Sequence, residues 1–357
     1  MQKLPKKLLI IKTSSLGDVI HCLPVINDML AHDANAQIDW VVEEAFADIP
    51  RMHTGVNQVY TVAMRHWRKE LFSLKTWKAI AEFKKIIKQN QYDAVIDCQG
   101  LLKSALICKQ TLTTITGEKH GYDKNSIREP IASQFYEKKY AISYNQHAVT
   151  RNRTLCAMSL NYALPTNAPD YGIAKPAIST LNNLPASRMD IGLQACTGMI
   201  LSSGIKLNNY IIALHGTSRD SKLWPIENWI DLGRALAEKN LNLALPWANE
   251  AELARANAMA SQLKNAIVLP KLSIAQIASV ISQAVAAVGV DTGLSHLAAA
   301  LNIPTIAIYT DTNPALTGVM AGNVAPAINL GGIAQTPSVN DVLQALEKIL
   351  KIPIKNT

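Results

Sequence analysis

The feature that most constrains the fold of this chain is a buried strand that leads through a tight polar turn into an amphipathic helix. Residues 8–11 form an apolar run that predicts a strand, and residues 12–17 form the turn. From Asp18 onward, apolar residues recur at helical spacing. Residues 286–290 and 291–296 repeat the same pattern far downstream. One such unit in each half of the chain predicts two α/β lobes built on parallel sheets.

The length of the chain agrees with two lobes. Its 357 residues, 48% of them hydrophobic, suffice for two domains with separate cores. The regular alternation is interrupted at residues 164–174, which we take as the linker. We therefore expect an N-terminal domain at residues 1–170 and a C-terminal domain at residues 171–357. Whether the last predicted helix, residues 339–350, packs back on the N-terminal domain is left open.

Asp18 lies at the edge of the first predicted sheet where ligands usually bind. In open α/β sheets, ligands occupy the crevice beyond the carboxyl ends of the strands. An Asp in the first turn of a helix is commonly a cap that complements the helix dipole. The second turn with an Asp, at Asp291, favours a functional role for both carboxylates. At this point both interpretations of Asp18 stay open.

Positive charge is concentrated in one short region. The chain has a formal net charge of +8, and residues 65–88 carry eight Lys or Arg residues against two Glu residues. Trp67, Phe72 and Trp77 are interleaved with these cations, so the region can cover an apolar surface while its charged ends reach anionic groups. A solvated helix face explains residues 84–88 equally well. For residues 65–69, which follow a predicted strand, we expect binding.

Several classes of protein are excluded or disfavoured. The five cysteines are scattered, without a C-x-x-C pair, which indicates reduced thiols and neither a disulfide framework nor a metal site. No apolar run approaches the roughly 20 residues that span a bilayer, and the N-terminus lacks a signal peptide. We therefore expect a cytoplasmic protein. Neither a Walker A loop nor a G-x-G-x-x-G motif occurs, which disfavours P-loop NTPases and dinucleotide dehydrogenases.

Seven motifs, spread in order over nearly the whole chain, resemble the lipopolysaccharide heptosyltransferase I family within glycosyltransferase family 9. They are residues 12–21, 40–44, 65–69, 97–104, 128–130, 217–225 and 291–296. The resemblance implies the GT-B architecture, in which two Rossmann-like, doubly wound lobes face each other across a cleft. It also implies an inverting transfer of heptose from ADP-L-glycero-β-D-manno-heptose to the first Kdo of Kdo2-lipid A, in the inner core of Gram-negative lipopolysaccharide.

The resemblance further assigns roles to single residues. Asp18 corresponds to the general base and Lys222 to the lysine that contacts the donor diphosphate, so these are the predicted catalytic residues. Ser218 and Leu272 replace a Thr and a Met that relatives can carry, and keep the hydroxyl and the apolar character. The predicted donor-binding residues are Thr217, Ser218, Lys222, Glu252, Leu272, Asp291, Thr292, Gly293, Leu294 and His296.

The acceptor is assigned to the N-terminal lobe, where cations would meet the carboxylates of Kdo and the phosphates of lipid A. The predicted acceptor-binding residues are Ser15, Gly17, Arg65, Arg68, Lys69, Gln99, Lys103 and Arg128. No metal and no cofactor is expected, since the chain lacks a D-x-D pair and Lys222 can neutralise the leaving diphosphate. The expected location is the cytoplasmic face of the inner membrane, with peripheral attachment.

Two alternative functions stay open. One is a related nucleotide-sugar transferase that acts later in the lipopolysaccharide core. The other is a non-catalytic protein that binds anionic polymers through residues 65–88, which would leave the turns of the second lobe unexplained. We expect no binding of nucleic acid, and retention of duplex DNA at physiological salt would contradict that expectation.

Overall fold

The structure of the chain, a computed structural model, describes residues 6–70, 72–173 and 209–351. The chain divides into two compact units, Met1–Ile173 and Ala174–Thr357. Leu71 in the basic region, residue 174 at the end of the predicted linker, and Cys196, one of the five cysteines, lie outside the described residues.

The first unit is built on a six-stranded sheet in which every neighbouring pair of strands is parallel. The strands are numbered β1 to β6 along the chain, and their order in the sheet is β3-β2-β1-β4-β5-β6. Their bounds are Lys7–Ile11, Gln37–Glu43, Val56–Val62, Gln91–Asp97, Leu112–Tyr122 and Lys138–Tyr140. The apolar run at residues 8–11 is a buried strand, as predicted, and it lies near the centre of the sheet.

Helices connect these strands. They are α1 to α7, with bounds Leu16–Cys22, Pro24–His32, Asp48–Arg51, Met64–Lys69, Leu74–Ile87, Leu102–Gln110 and Ala148–Leu160. Short 3₁₀ turns cover Glu44–Phe46 and Pro130–Phe135. The single helix predicted after Asp18 is two helices, α1 and α2. The break falls at Leu23 because Pro24 has no N–H to continue the hydrogen-bond ladder and suits the first position of a new helix.

Strand β5 was not predicted by the sequence analysis. The strand is polar over much of its length, and several of its side chains are half-buried or exposed. It pairs with β4 on one side and β6 on the other. The pattern of a fully buried parallel strand is therefore missing, and only the pairing identifies it.

The second unit repeats the architecture. Its six parallel strands, β7 to β12, lie in the order β12-β11-β10-β7-β8-β9. Their bounds are Tyr210–Leu214, Asn242–Leu245, Ala266–Val268, Ala286–Val290, Thr305–Tyr309 and Ala327–Gly331. The helices α8 to α13 are Ile226–Ala237, Glu250–Ala260, Ile274–Ser282, Gly293–Ala300, Pro314–Thr317 and Val339–Leu350, and Asp220–Lys222 forms a 3₁₀ turn.

The core of the second unit includes the last described helix. Trp224 and Trp229 are fully buried and pack edge to face, with ring centroids 5.1 Å apart. Val342 and Leu346 on α13 belong to the same buried cluster. The packing that the structure describes for this helix is thus within the second unit.

The strand orders locate the binding edges. In each sheet the order reverses beside the first strand of the unit, between β1 and β4 and between β7 and β10. Loops that leave such neighbouring strands diverge to opposite faces and open a crevice at the carboxyl edge. Residues 12–15 follow β1 and residues 98–101 follow β4, whereas residues 215–225 follow β7 and residues 291–292 follow β10. No helix among the described ranges is long and apolar enough to span a membrane.

Candidate active site

The two loops of the first crevice are tied together by Gln99. Its side-chain Oε1 accepts hydrogen bonds from the main-chain N–H groups of Thr13 and Ser14, both at 3.0 Å. In the same crevice the ammonium of Lys12 donates to the main-chain oxygen of Cys98 at 2.7 Å. The loop after β4 therefore holds the loop after β1 in place. Gln99 lies at the predicted edge, and its side chain supports the turn that precedes Asp18.

Asp18 lies in the first turn of α1, directly after this held loop. Its Oδ2 accepts hydrogen bonds from the main-chain N–H of Ser15 at 2.7 Å and from the Ser15 hydroxyl at 2.9 Å. This is a capping box, so the helix-cap interpretation of Asp18 is correct. Neither bond uses Oδ1, and the carboxylate is half-buried. Capping is thus compatible with a second role for Asp18, and Gly17 lies beside it in the same turn.

Lys103 reaches the same loop from α6. Its ammonium donates to the Ser14 hydroxyl at 2.7 Å. Burial lowers the pKa of Lys103 from its usual value, and the nearby carboxylate of Glu43 is the strongest influence that opposes this shift. Weaker contributions come from Arg65, which lowers the pKa of Lys103, and from Glu129 and Asp18, which raise it. The structure therefore brings Lys103, Asp18 and Arg65 into one electrostatic neighbourhood.

Residues 65–69, which the sequence analysis placed after a predicted strand, belong to the short helix α4. The main-chain N–H of Arg65 donates to Oε1 of Glu43 at 3.0 Å, and its guanidinium lies over the ring of Phe46, 5.1 Å from the centroid. Arg68 and Lys69 are exposed further along the helix. Three of the predicted acceptor cations, Arg65, Arg68 and Lys69, thus share one helix that begins at the carboxyl edge of the sheet.

Arg128, the remaining predicted acceptor residue, is exposed in the segment after β5. Its neighbour Glu129 accepts a hydrogen bond from the main-chain N–H of Leu102 at 2.7 Å. Because Leu102 is the first residue of α6, this bond joins the Arg128 segment to the helix that carries Lys103. Of the predicted acceptor residues, Ser15, Gly17, Gln99 and Lys103 surround the first crevice, and Arg128 adjoins it through Glu129.

A buried carboxylate supports the first crevice. Asp97, at the end of β4, accepts hydrogen bonds from the Tyr136 hydroxyl at 2.7 Å and from the main-chain N–H of Gln99 at 2.9 Å. Burial raises the pKa of Asp97 to about 6, and these hydrogen bonds counteract the rise in part. Asp97 therefore stabilises the turn that contains Gln99, and Gln99 in turn holds the main chain of Thr13.

The second crevice contains an ion pair. The Lys222 ammonium lies 2.6 Å from Oδ2 of Asp291, and the two side chains are 19% and 12% exposed. The Thr312 hydroxyl donates to the same oxygen at 2.7 Å, and the Thr217 hydroxyl donates to the main-chain oxygen of Asp291 at 2.9 Å. Three predicted donor residues, Lys222, Thr217 and Asp291, are thereby brought together. Thr312 was missed, because nothing in its local sequence distinguishes it.

The helix α11 begins at this ion pair. Thr292 is its N-cap, Gly293 is its first residue, and Leu294 follows, half-buried. The first N–H groups of a helix have no partner within the helix and attract anions. The Ser295 hydroxyl donates to the main-chain oxygen of Val290 at 2.8 Å, which fixes the helix to the end of β10. The buried His296 is on the next position of the helix.

Glu252 lies beside the loop that follows β7. Its Oε2 accepts a hydrogen bond from the main-chain N–H of Ala248 at 2.7 Å. A Cβ atom added at Gly216 would lie 2.7 Å from the Glu252 carboxyl carbon, so a side chain at this position would displace the Glu252 carboxylate. Glu252 therefore borders the turn that continues to Thr217.

The last two predicted donor residues lie apart from the ion pair. Ser218 is exposed in the turn after Thr217. Leu272 is half-buried after β9, and β8 separates that edge strand from β7. An extended ligand on the carboxyl edge of this sheet would have to cross β8 to touch both Leu272 and Asp291.

The two crevices together suit one type of chemistry. A half-buried carboxylate beside cations can deprotonate and hold a hydroxyl acceptor. A lysine, hydroxyl groups and free helix amides can bind a diphosphate and stabilise its negative charge. Two parallel-sheet α/β units with such sites are typical of sugar-nucleotide glycosyltransferases of the GT-B class.

Comparison with known proteins also indicates a glycosyltransferase and narrows this class to one family. The model of glycosyltransferase family 9 (heptosyltransferase) matches residues 80–343. Lipopolysaccharide heptosyltransferase 1 of Escherichia coli O18:K1:H7 is 40% identical over 342 residues, which cover 96% of this chain and 97% of that one. The corresponding protein of Pseudomonas aeruginosa is 42% identical over 312 residues, 87% of this chain and 81% of that one.

A solved structure, the E. coli heptosyltransferase WaaC with ADP, superimposes with a TM-score of 0.81 at 39% identity and covers 96% of this chain and 99% of that one. The chain belongs to glycosyltransferase family 9, and it is a glycosyltransferase. The predicted fold class and the predicted family are confirmed. The roles of the single site residues stay predictions.

Proposed function

We propose that the protein transfers L-glycero-D-manno-heptose from ADP-heptose to the first Kdo of Kdo2-lipid A, in the assembly of the lipopolysaccharide inner core. The observation that carries the proposal is the identity of about 40% to lipopolysaccharide heptosyltransferase 1 proteins over most of the chain. The similar structure with bound ADP supports an ADP-sugar as the donor.

The donor is assigned to the second unit. Lys222 and the first N–H groups of α11 bind the diphosphate, with the hydroxyls of Thr217 and Ser218 beside it. Asp291 holds Lys222 in position through the 2.6 Å ion pair. Glu252 lies near the adenosine, and Leu272 offers an apolar contact to the adenine. The mutual contacts of Lys222, Thr217 and Asp291 support this assignment.

The acceptor is assigned to the first unit, with Asp18 as the general base. Asp18 accepts the proton of the attacking Kdo hydroxyl while the oxygen of that hydroxyl forms a bond to the anomeric carbon of the heptose. A positioned base typically accelerates such a step by about 10²–10⁴-fold. The free position of Oδ1 with respect to the capping box supports this role, because proton transfer there leaves both bonds of Oδ2 intact.

The bond from the anomeric carbon to the diphosphate breaks as the new bond forms, and ADP leaves with the electron pair. Attack from the face opposite the diphosphate inverts the configuration of the sugar. Lys222 and the amides of α11 stabilise the negative charge that develops on ADP, which is where electrostatic stabilisation has its largest effect. The reaction therefore needs no further group to neutralise the leaving diphosphate.

The membrane surface is assigned to helix α5 and to Phe72, two residues before it. Phe72 is fully exposed, Leu74 is 80% exposed and Trp77 is 55% exposed. Lys75 and Lys78 are interleaved with them, and each cation near an anionic bilayer contributes on the order of 1 kcal/mol. Apolar side chains among cations suit the surface of an anionic membrane. We propose peripheral attachment to the cytoplasmic face of the inner membrane.

An acceptor panel tests the proposed reaction. The purified protein is incubated with ADP-heptose and either Kdo2-lipid A or Kdo2-lipid A that already carries one heptose, and released ADP is measured. We expect ADP release with the first acceptor. Release with the second acceptor alone would assign the protein to a later step of the core, and release with neither would refute the proposal.

Membrane attachment is tested separately by co-sedimentation with vesicles. We expect binding to vesicles that contain phosphatidylglycerol and little binding to pure phosphatidylcholine vesicles. Replacement of Phe72, Leu74 and Trp77 by Ser should release the protein, whereas replacement of Ile115, which is fully exposed on strand β5, serves as the matched control. Equal binding of the triple variant and the unaltered protein would contradict the assignment.

A further inference from the structure

Glu43 is a buried carboxylate at the first crevice that none of the assigned roles uses. It is the last residue of β2 and is only 3% exposed. Its Oε1 accepts the hydrogen bond from the main-chain N–H of Arg65. Its Oε2 is enclosed and has no hydrogen-bond partner within the ranges that the structure describes. Such a half-satisfied buried carboxylate is costly, and its retention at a binding edge calls for an explanation.

The first role of Glu43 is mechanical. Its main-chain N–H donates to the main-chain oxygen of Thr13 at 3.0 Å, which fixes it to the loop before Asp18. Its side chain meets the second residue of α4, a six-residue helix whose N-cap, Ala63, has no capping side chain. A carboxylate at this end satisfies an orphan N–H and complements the helix dipole. One residue therefore connects the Asp18 loop to the helix that carries the acceptor cations.

The second role of Glu43 is electrostatic. Lys103 is half-buried, and its ammonium donates to the hydroxyl of Ser14 in the same loop. Burial disfavours the charged form of a lysine, and Glu43 is the main neighbouring charge that opposes this effect. A negative charge at Glu43 thus favours the cationic form of Lys103 beside the loop.

We propose that Glu43 is a positioning residue of the acceptor site, which is fixed to the Asp18 loop through its main chain and holds the start of helix α4 with one carboxylate oxygen. Arg65 is thereby kept in a fixed relation to Asp18, and the charge of Glu43 favours the cationic form of Lys103 beside the same loop. The inference rests on the proposed function in so far as these cations bind the Kdo acceptor. It adds to that function a residue that touches neither substrate.

Two variants separate the two roles. Glu43→Gln keeps an oxygen that can accept the hydrogen bond from Arg65 but removes the charge, and Glu43→Ala removes both. Glu44→Gln is the matched control, because Glu44 is the adjacent glutamate and is exposed. In steady-state kinetics, Glu43→Ala should raise the KM for Kdo2-lipid A about tenfold while the KM for ADP-heptose stays within about twofold.

The pH profile distinguishes positioning from general stability. In both Glu43 variants the pKa of Lys103 should fall, so the loss of kcat/KM for the acceptor at alkaline pH should begin at lower pH than in the unaltered protein. Glu44→Gln should leave the profile unchanged. An unchanged acceptor KM and an unchanged pH profile in both Glu43 variants would overturn the inference. Heptose transfer by the unaltered protein would still uphold the proposed function in that case.

Two measurements on the full chain without substrates decide the inference even where no transfer is found. Hydrogen exchange of the amides of residues 64–69 should be faster in Glu43→Ala than in the unaltered protein and in Glu44→Gln. The Lys103 side chain, followed by NMR, should titrate at lower pH in Glu43→Gln. Exchange and titration equal to those of the unaltered protein would overturn the inference, whatever the reaction of the protein is.

Discussion

The replacement of Lys222 by Met removes one charge from the proposed donor site and keeps most of the aliphatic stem. The ammonium lies 2.6 Å from Oδ2 of Asp291, and neither side chain is more than one-fifth exposed. A hydrogen bond to a charged group at such a site contributes about 1.5–3 kcal/mol. If the ammonium serves the diphosphate, its loss should weaken ADP-heptose binding by about tenfold to a hundredfold.

Turnover should fall further than affinity. The negative charge on ADP grows as the bond to the anomeric carbon breaks, so a cation at the diphosphate acts more strongly in the transition state than in the ground state. Removal of one such stabilising group typically costs about 10²–10³-fold in kcat. We therefore expect Lys222→Met to lower kcat and to raise the KM for ADP-heptose, with the KM for the acceptor unchanged.

Calorimetric titration with ADP-heptose and steady-state kinetics measure the two effects. Asp291 keeps the hydrogen bond from Thr312 in the variant, so the fold should persist, and a thermal melt checks this. Lys264→Met is the matched control, because Lys264 is exposed and precedes β9, at the opposite edge of the same sheet. Unchanged affinity for ADP-heptose in Lys222→Met would remove Lys222 from the donor site and refute the reasoning.

Four further results are expected. Asp18→Asn keeps an oxygen for the capping box but loses the base, so turnover should fall by about two orders of magnitude while donor affinity and circular dichroism stay the same; near-normal turnover would leave Asp18 as a helix cap alone. Replacement of Arg65, Arg68 and Lys69 together by Ala should raise the acceptor KM and flatten its salt dependence, and identical acceptor KM values at low and high salt would remove them from the acceptor site. Turnover should survive excess EDTA, and a strict requirement for a divalent metal would contradict the leaving-group argument. The pKa of Asp97 is raised from 3.8 to about 6, so the folded protein binds this proton more tightly than the unfolded chain does. The Asp97 carboxyl should therefore contribute about 3 kcal/mol to the free energy of unfolding at low pH, and this contribution should be lost between about pH 4 and pH 6. If the stability of the unaltered protein relative to Asp97→Asn, measured by urea unfolding, increased with pH, this sign would be contradicted.

The strands next to the two crevices were predictable because their signal is local. Buried parallel strands are continuous apolar runs, and residues 8–11 and 286–290 are followed by polar turns that contain Gly and Asp. Strand β5 was not predictable in this way. Its first eight residues are half-buried or exposed and only its last three are buried, so its place depends on pairing with β4 and β6.

The residues of the two crevices likewise divide into those with a local sequence signal and those that depend on contacts between distant segments. Asp18, Lys222 and Asp291 stand in motifs whose residue types and spacing indicate their chemistry. The support of these residues comes from across the sheet: Gln99 bonds to Thr13, and Thr312 bonds to Asp291. The partners in such bonds belong to loops of different strands, so no local pattern distinguishes them. The capping role of Glu43 likewise emerges only when the end of β2 meets the start of α4.

Tandem mass spectrometry of the reaction product tests the central claim most directly. The protein is incubated with ADP-heptose and Kdo2-lipid A, and the lipid product is fragmented. We predict that the acceptor gains the mass of one heptose residue, that the fragments locate this residue on the first Kdo, and that Asp18→Asn yields far less product in the same time. An unmodified acceptor, or a heptose on any other part of the lipid, would contradict the account.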